Sequence, residues 1–158
     1  MTSLAAAGFR RRSFWLLALP LAVLFLLEGC YSLKTSGRRE EVVVMEVTAY
    51  CSCKECCNWK RKWGCFLLSP VYASGPSKGR GKAVGVTADG TAAKKGTVAA
   101  DTTRYPFGTI LYVPGYGWAV VHDTGRDIKG NHIDVYFESH RKALQWGRRK
   151  LKVRVYRR

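Results

Sequence analysis

Apolar residues follow two different patterns along this chain. One uninterrupted apolar run extends from Phe14 to Leu27, whereas from Val42 onward apolar residues occur in short, β-branched pieces between turn residues. The first of these pieces, VVVMEVTAY, predicts a strand. The predicted strands are 42–50, 97–100, 109–113, 118–122, 133–137 and 151–156. The stretch 69–82 is rich in Gly, Ser, Pro and Lys and predicts a loop.

A single short helix is predicted near the C-terminal end of the chain. Ser139 is a residue type that caps helices, the next seven residues to Trp146 fill about two turns, and Gly147 is suited to end the helix. Many short strands with Gly-rich turns and one brief helix predict a small, closed, all-β barrel.

The N-terminal apolar run predicts export from the cytoplasm. It follows Arg10-Arg11-Arg12 and is shorter than the roughly 20 apolar residues of a transmembrane helix. Leu27-Glu28-Gly29-Cys30 resembles a lipobox, so Cys30 is the predicted lipidation site, the alternative being an ordinary thiol beside an uncleaved anchor. Arg11-Arg12-Ser13-Phe14 resembles a twin-arginine signal, which leaves the export route open. The predicted organisation is a signal peptide at 1–30, a linker at 31–41 and a domain at 42–158.

The charge of the chain indicates a polyanionic partner. The sequence holds 27 Lys and Arg against 11 Asp and Glu, a formal net charge of +16. A basic cytosolic chain would suggest nucleic acid, but the predicted export and the absence of a long recognition helix argue against that partner. Anionic lipid and acidic cell-wall polymer are the partners that fit an exported chain.

Three aspartates stand at the ends of, or inside, the predicted strands. Asp101 follows 97–100, Asp123 follows 118–122, and Asp134 lies between Ile133 and Val135. An aspartate among β-branched residues is desolvated, and neighbouring carboxylates add to the rise of its pKa. A carboxylic acid that keeps its proton near neutral pH is suited to donate it to a glycosidic oxygen. The alternative is that these aspartates cap turns or pair with basic residues.

The sequence around the three aspartates resembles that of a known family. GTVAAD at 96–101, YPFGTILYV at 105–113 and GYGWAVVHDTG followed by IKGNHIDVYF, at 115–125 and 128–137, resemble the three-aspartate (3D) domain. This domain is shared with the catalytic region of the membrane-bound lytic transglycosylase A family. VTAY at 47–50 and GVTADG at 85–90 are also similar to motifs of this family. The sequence departs from the pattern at Thr102 and at Arg126.

The resemblance implies a six-stranded double-psi β-barrel that cleaves peptidoglycan glycan strands. The cleavage would be non-hydrolytic, with one aspartate acting first as acid and then as base, and would leave a 1,6-anhydro ring. By motif position that residue is Asp134, assisted by Asp123 and Asp101. Residues expected to line the sugar groove are Thr48, Tyr50, Thr87 and Lys129. His132 is expected to face solvent rather than to take part in catalysis.

No cofactor is implied, and two other functions stay open: a hydrolytic glycosidase and a non-catalytic peptidoglycan-binding module. The expected location is the periplasmic side of the cell envelope, as a lipoprotein of the outer membrane. The sequence does not determine the oligomeric state.

A cysteine-rich segment follows the first predicted strand. Its members are Cys51, Cys53, Cys56, Cys57 and Cys65. In an exported protein such a segment favours disulfides, most readily between Cys51 or Cys53 and Cys57 or Cys65. The alternatives are a zinc site with thiolate ligands, the candidates being Cys51, Cys53, Cys56 and Cys57, and free thiols. Twin-arginine export would favour the zinc site, because a folded, metal-loaded protein can then be exported.

Overall fold

The structure is a computed structural model that describes residues 35, 37–63 and 68–157. The strands and helices, in chain order, are β1 (Arg39–Tyr50), α1 (Lys54–Cys57), β2 (Trp59–Trp63), β3 (Leu68–Tyr72), β4 (Thr97–Ala99), β5 (Ile110–Val113), β6 (Gly117–Asp123), β7 (His132–Tyr136), α2 (His140–Trp146) and β8 (Arg149–Arg157). The predicted signal peptide, the lipidation site Cys30 and most of the predicted linker lie outside the described residues. Within the described ranges, no helix is long and apolar enough to cross a membrane.

Six strands close into a barrel in the order β1-β7-β4-β6-β5-β8. Strand β1 pairs with a strand on each side. Its residues Arg39–Val47 pair antiparallel with β8, and Glu46–Tyr50 pair parallel with β7. Strand β4 pairs in parallel with β6 and antiparallel with β7. This closed, six-stranded barrel confirms the predicted all-β fold class.

The core of the barrel is built from alternate residues of its strands, as the two-residue period of a strand requires. In β7, Ile133 and Val135 are fully buried, whereas Asp134 between them is only partly buried. The side chains shielded from solvent in this way are Met45, Val47, Val98, Leu111, Val113, Val121, Ile133, Val135, Val153 and Val155. The opposite faces of the same strands are free to carry polar side chains.

The predicted helix is confirmed as α2, which begins at His140 and ends at Trp146. Gly147 ends it with a positive φ of 65°. Ser139 occupies the capping position, but its side chain makes no capping hydrogen bond.

The first strand starts three residues earlier than the predicted start at Val42. Strand β1 begins at Arg39 because its pairing with β8 continues to the end, where Arg39 lies opposite Arg157. An ion pair of 3.2 Å between Glu41 and Arg157 lies at the same end. The charged residues Arg39–Glu41 have the composition of a linker, and they belong to the sheet because β8 pairs with them.

Two other expectations between 51 and 82 are corrected by the structure. The predicted loop begins with a strand, because β3 pairs antiparallel with β2 as a separate two-stranded sheet. The cysteine-rich segment contains a second helix, α1, of one turn. The sequence of β2, WKRKW, has no clear apolar pattern. Its strand conformation is set by pairing with β3.

Candidate active site and cysteine cluster

Two of the three predicted aspartates lie on one row across the barrel wall. Thr48 of β1 pairs with Asp134 of β7, Asp134 pairs with Ala99 of β4, and Ala99 pairs with Asp123 of β6. Since neighbouring strands lie roughly 5 Å apart, a single alanine separates the two aspartates across the sheet. The structure therefore brings Asp134 and Asp123 together, with Thr48 on the far side of Asp134.

An irregularity in the pairing of β4 with β6 brings Asp123 into this row. Val98 pairs with Val121, so regular pairing would set Ala99 opposite His122. The register shifts between Val98 and Ala99, and Asp123 takes that place instead. A bulge of this kind inserts one extra residue and redirects the side chains next to it. Here it sets Asp123 opposite Ala99, which also pairs with Asp134.

Asp134 is the aspartate whose surroundings most disfavour its charge. Burial raises its pKa above the usual range of an aspartate, and the negative charge of Asp123 adds to the rise. The Thr48 hydroxyl donates a hydrogen bond of 2.8 Å to Asp134 Oδ1 and opposes the rise. Asp134 therefore keeps its proton to a higher pH than an exposed aspartate, as an acid catalyst requires.

Asp123 is held as a hydrogen-bond acceptor. The Tyr50 hydroxyl donates to its Oδ2 at 2.8 Å, and the backbone amides of Ala88 and Thr124 donate to its Oδ1 at 3.0 and 2.9 Å. Burial, and next the charge of Asp123, raises the pKa of the Tyr50 phenol far above its usual value. Tyr50 therefore stays protonated and acts as a fixed donor between the end of β1 and the end of β6.

Asp101 has a different environment from the other two aspartates. The hydroxyl and amide of Thr103 donate to its Oδ1 at 2.7 and 3.1 Å, and the amide of Gly130 donates to its Oδ2 at 2.9 Å. These bonds, the Thr103 hydroxyl foremost, hold the pKa of Asp101 below its usual range. Asp101 is thus an ionised carboxylate that joins two loops, the turn-capping alternative raised from the sequence.

The remaining predicted groove residues divide between the site and its surroundings. Thr48 and Tyr50 contact the aspartates directly. Thr87 is buried, and its hydroxyl lies 2.8 Å from both Asp89 Oδ1 and the Thr91 carbonyl oxygen, so it stabilises its own loop. Lys129 is exposed and lines a shallow depression with a volume of 380 Å³ beside β1 and β7; none of the three aspartates lines it.

His132 was expected to face solvent, and the structure instead connects it to the site. Its Nε2 lies 2.9 Å from the Thr48 hydroxyl, which in turn donates to Asp134. Its Nδ1 lies 3.3 Å from the carbonyl oxygen of Asp127. The signal in the sequence is its spacing two residues before Asp134, which puts both side chains on one face of β7.

The described cysteines are free thiols. The predicted disulfides from Cys51 or Cys53 to Cys57 are not formed, and pairing with Cys65 lies outside the described residues. The Cys57 thiol donates to the carbonyl oxygen of Cys51 at 3.1 Å.

A histidine takes the place that the sequence reasoning gave to Cys57. His140 Nδ1 lies 3.3 Å from Cys53 Sγ, 3.5 Å from Cys56 Sγ and 3.8 Å from Cys51 Sγ. It comes from the start of α2, 84 residues after Cys56 in the chain. The sequence did not indicate His140 as a ligand, because the cysteine-rich segment 51–65 itself contains no histidine.

Comparisons with known proteins bear on the aspartate site. Residues 96–157, which contain all three aspartates, match the model of the 3D domain family. The putative cell wall shaping protein YabE of Bacillus subtilis is 41% identical over 58 residues, which cover 37% of this chain and 14% of that protein. The cell wall-binding protein YocH of the same organism is 39% identical over 89 residues, which cover 54% of this chain and 31% of that protein.

Among solved structures, the crystal structure of MltA from E. coli is similar at 25% identity with a TM-score of 0.39, over 46% of this chain and 27% of that one. The family match, together with the two curated relatives, confirms the resemblance to a three-aspartate domain. The matched segments span less than a third of either curated relative.

Proposed function

Residues 96–157 match the 3D domain family, and on that basis we propose that the protein is a lytic transglycosylase of the cell envelope. Its substrate would be the β-1,4 bond between N-acetylmuramic acid and N-acetylglucosamine in peptidoglycan. The observation that carries the proposal is the environment of Asp134: burial raises its pKa, and it shares a row of the sheet with Asp123. The names of the two curated relatives, which refer to cell wall shaping and cell wall binding, support a location in the envelope.

Asp134 would act as both acid and base. Its carboxyl proton passes to the glycosidic oxygen as the bond from that oxygen to C1 of the muramyl residue breaks. The resulting carboxylate then takes the proton of the muramyl 6-hydroxyl, whose oxygen bonds to C1 and closes the 1,6-anhydro ring. No water is consumed, and Asp134 ends with the proton it began with. A raised pKa favours the first step, because the residue must begin protonated.

The other residues of the row have supporting roles in this proposal. Thr48 holds Asp134 Oδ1, which leaves the second carboxyl oxygen free to carry the reacting proton. Asp123, fixed by Tyr50 and two amides, is suited to stabilise the positive charge that develops at C1 in an oxocarbenium-like transition state. Asp101 keeps the loops beside the site in place.

Binding of the substrate is proposed to draw on the charge of the protein as well as on the site. The formal net charge of +16 favours association with anionic wall polymers. Lys129, exposed beside His132, is the predicted groove residue best placed to meet an acidic substituent. No role in substrate binding is proposed for Thr87, whose hydroxyl is bonded within its own loop.

Digestion of purified sacculi by the full-length protein, beside its Asp134→Asn variant, tests the proposal. We expect muropeptides that end in 1,6-anhydro-muramic acid from the parent, at a rate about 10²- to 10⁴-fold higher than from the variant. Asp127→Asn is the matched control, because Asp127 is exposed and the same charge is removed. Products with reducing ends would make the protein a hydrolase, and equal activity of Asp134→Asn would refute the role of Asp134.

A second candidate is a binding module that does not cut its ligand. The name of the relative YocH, a cell wall-binding protein, favours it. In that case the aspartates would accept hydrogen bonds from sugar hydroxyls. Sedimentation with sacculi separates the two candidates: if the parent and Asp134→Asn both sediment with sacculi and neither releases muropeptides, the binding module is the function.

The envelope location is proposed to depend on a lipid at Cys30, with the domain on the periplasmic side of the outer membrane. This part of the proposal stands on the lipobox-like LEGC at 27–30. Metabolic labelling with a fatty acid tests it: label is expected on the parent and not on Cys30→Ser. Absence of label from the parent would refute the anchor without bearing on the enzymatic proposal.

A further inference from the structure

The group formed by Cys51, Cys53, Cys56 and His140, here termed the thiol–imidazole cluster, has no part in the proposed reaction. Each residue offers one ligand atom, and the four atoms lie within 4.8 Å of one another. Cys51 is buried. Three soft sulfur atoms and one imidazole nitrogen around a common point are a ligand set that zinc takes in proteins.

Four of the six distances within the cluster match those of a zinc tetrahedron rather than those of disulfides. Zinc bonds of about 2.3 Å to sulfur and about 2.05 Å to nitrogen give, at tetrahedral angles, about 3.8 Å between sulfurs and about 3.5 Å between sulfur and nitrogen. Cys51 Sγ lies 3.7 Å from Cys56 Sγ, and the distances from His140 Nδ1 to the three sulfurs run from 3.3 to 3.8 Å. A disulfide needs its sulfurs about 2.05 Å apart.

We propose that this cluster binds one zinc ion, with Cys51, Cys53, Cys56 and His140 Nδ1 as its four ligands. The three cysteines bind as thiolates and release their protons to solvent, and the histidine binds as the neutral imidazole with its proton on Nε2. With four protein ligands the coordination shell is complete, so the ion is structural and not catalytic.

The surroundings of the cluster support this ligand set. The amide of Cys56 donates to Cys53 Sγ at 3.4 Å, a bond that stabilises a thiolate and fixes its direction. Cys57, which follows Cys56 and is the other candidate ligand in the sequence, donates its thiol hydrogen bond to the carbonyl oxygen of Cys51 instead. Three ligands come from the Cys-x-Cys-x₂-Cys segment 51–56, and His140 at the start of α2 is the fourth.

The position of the cluster gives the ion a mechanical role. Cys51 directly follows β1, and His140 comes four residues after the end of β7. These two strands pair in parallel, with Tyr50 opposite Tyr136 at their ends. Zinc would therefore join the chain beyond both strand ends. Since Tyr50 and Asp134 lie on these same strands, the ion stabilises the wall that carries the aspartate site.

Metal content and coordination of the full-length protein, purified under reducing conditions, test the proposal. We expect one zinc per chain by mass spectrometry of the metal. Co²⁺ in its place should give the visible bands of a tetrahedral site and a thiolate charge-transfer band. X-ray absorption at the zinc edge should give three sulfur neighbours and one nitrogen. Removal of zinc by a chelator should lower the Tm by about 10 °C or more, because the ion binds only the folded chain.

Single substitutions distinguish this ligand set from its competitors. His140→Ala and Cys56→Ser should lose the zinc, whereas Cys57→Ser and Cys65→Ser should retain one equivalent with an unchanged cobalt spectrum. Four sulfur neighbours in the parent, or loss of zinc in Cys57→Ser, would overturn the role of His140. A parent that holds no zinc and contains disulfides among these cysteines would overturn the site altogether. The X-ray measurement needs no variant, so it decides the matter even where His140→Ala does not fold.

Discussion

The hydrogen bond from Thr48 to Asp134 sets a testable link between stability and pH. Thr48 and Asp134 are partners on parallel strands, and the hydroxyl donates to the carboxyl at 2.8 Å. Thr48→Val keeps the branched shape of the side chain and removes the hydroxyl. It also removes the contact of 2.9 Å between that hydroxyl and His132.

The size of the effect depends on the charge of Asp134. A hydrogen bond to a charged group contributes about 1.5–3 kcal/mol and a neutral one about 0.5–1.5 kcal/mol. We therefore expect Thr48→Val to lower the free energy of unfolding by about 1 kcal/mol where Asp134 is protonated and by about 2 kcal/mol where it is ionised.

The sign of the pH dependence follows from the raised pKa of Asp134 in the folded state. Its contribution to stability is fully present below the unfolded-state pKa of about 3.9 and is lost as the pH rises through the higher folded-state pKa. The Thr48 bond opposes the rise, so without it the pKa is higher still. The free energy of unfolding of Thr48→Val should therefore continue to fall up to a higher pH than that of the parent.

Urea unfolding, followed by tryptophan fluorescence, measures the cost of Thr48→Val at one pH below about 3.9, where Asp134 is protonated, and at one pH above its raised folded-state pKa, where Asp134 is ionised. In an Asp134→Asn background the cost of Thr48→Val should be the same at both. The alkaline limb of the pH–rate profile for glycan cleavage should also move to higher pH in Thr48→Val. A cost that is equal at the two pH values in the parent background, or larger at the acidic one, would refute this reasoning.

Three further substitutions probe the site and the barrel, each measured by urea unfolding beside the parent. Tyr50→Phe removes one of the three donors to Asp123 and should cost about 1–3 kcal/mol; no measurable cost would mean that the bond is not formed in solution. Leu111→Ala opens a cavity at a fully buried position and should cost about 2–5 kcal/mol, whereas a cost under about 1 kcal/mol would contradict the assigned core. Gly125→Ala places a Cβ 2.5 Å from Cγ1 of buried Ile128 and should cost about 1–3 kcal/mol, which an unchanged unfolding midpoint would exclude.

Local pattern was sufficient for much of the fold. The alternation around Ile133 and Val135 predicts both the strand β7 and the face that it buries, because a strand has a period of two residues. The bounds of α2 follow from a capping residue before His140 and from Gly147 after Trp146, both short-range effects. The aspartates were found in the same way, as rare acidic residues at the ends of apolar pieces or within them.

Pairing between distant segments decided what the sequence left open. Arg39–Glu41 became strand because β8 runs beside it, and WKRKW became strand because β3 does. Neither segment has an apolar pattern strong enough to predict a strand unaided, since much of the stabilisation of an edge residue comes from its cross-strand partner.

The environments of the aspartates, and the chemistry available to them, were also set by tertiary structure. Asp101 and Asp134 are the same residue type near strands, yet their pKa values move in opposite directions. Loop donors surround Asp101, whereas burial and a neighbouring carboxylate act on Asp134. His140 joins three cysteines that precede it by more than 80 residues. The sequence by itself determined which reactive groups the chain carries, and the closure of the barrel decided which of them meet, because proximity across the sheet depends on strand order and register rather than on distance along the chain.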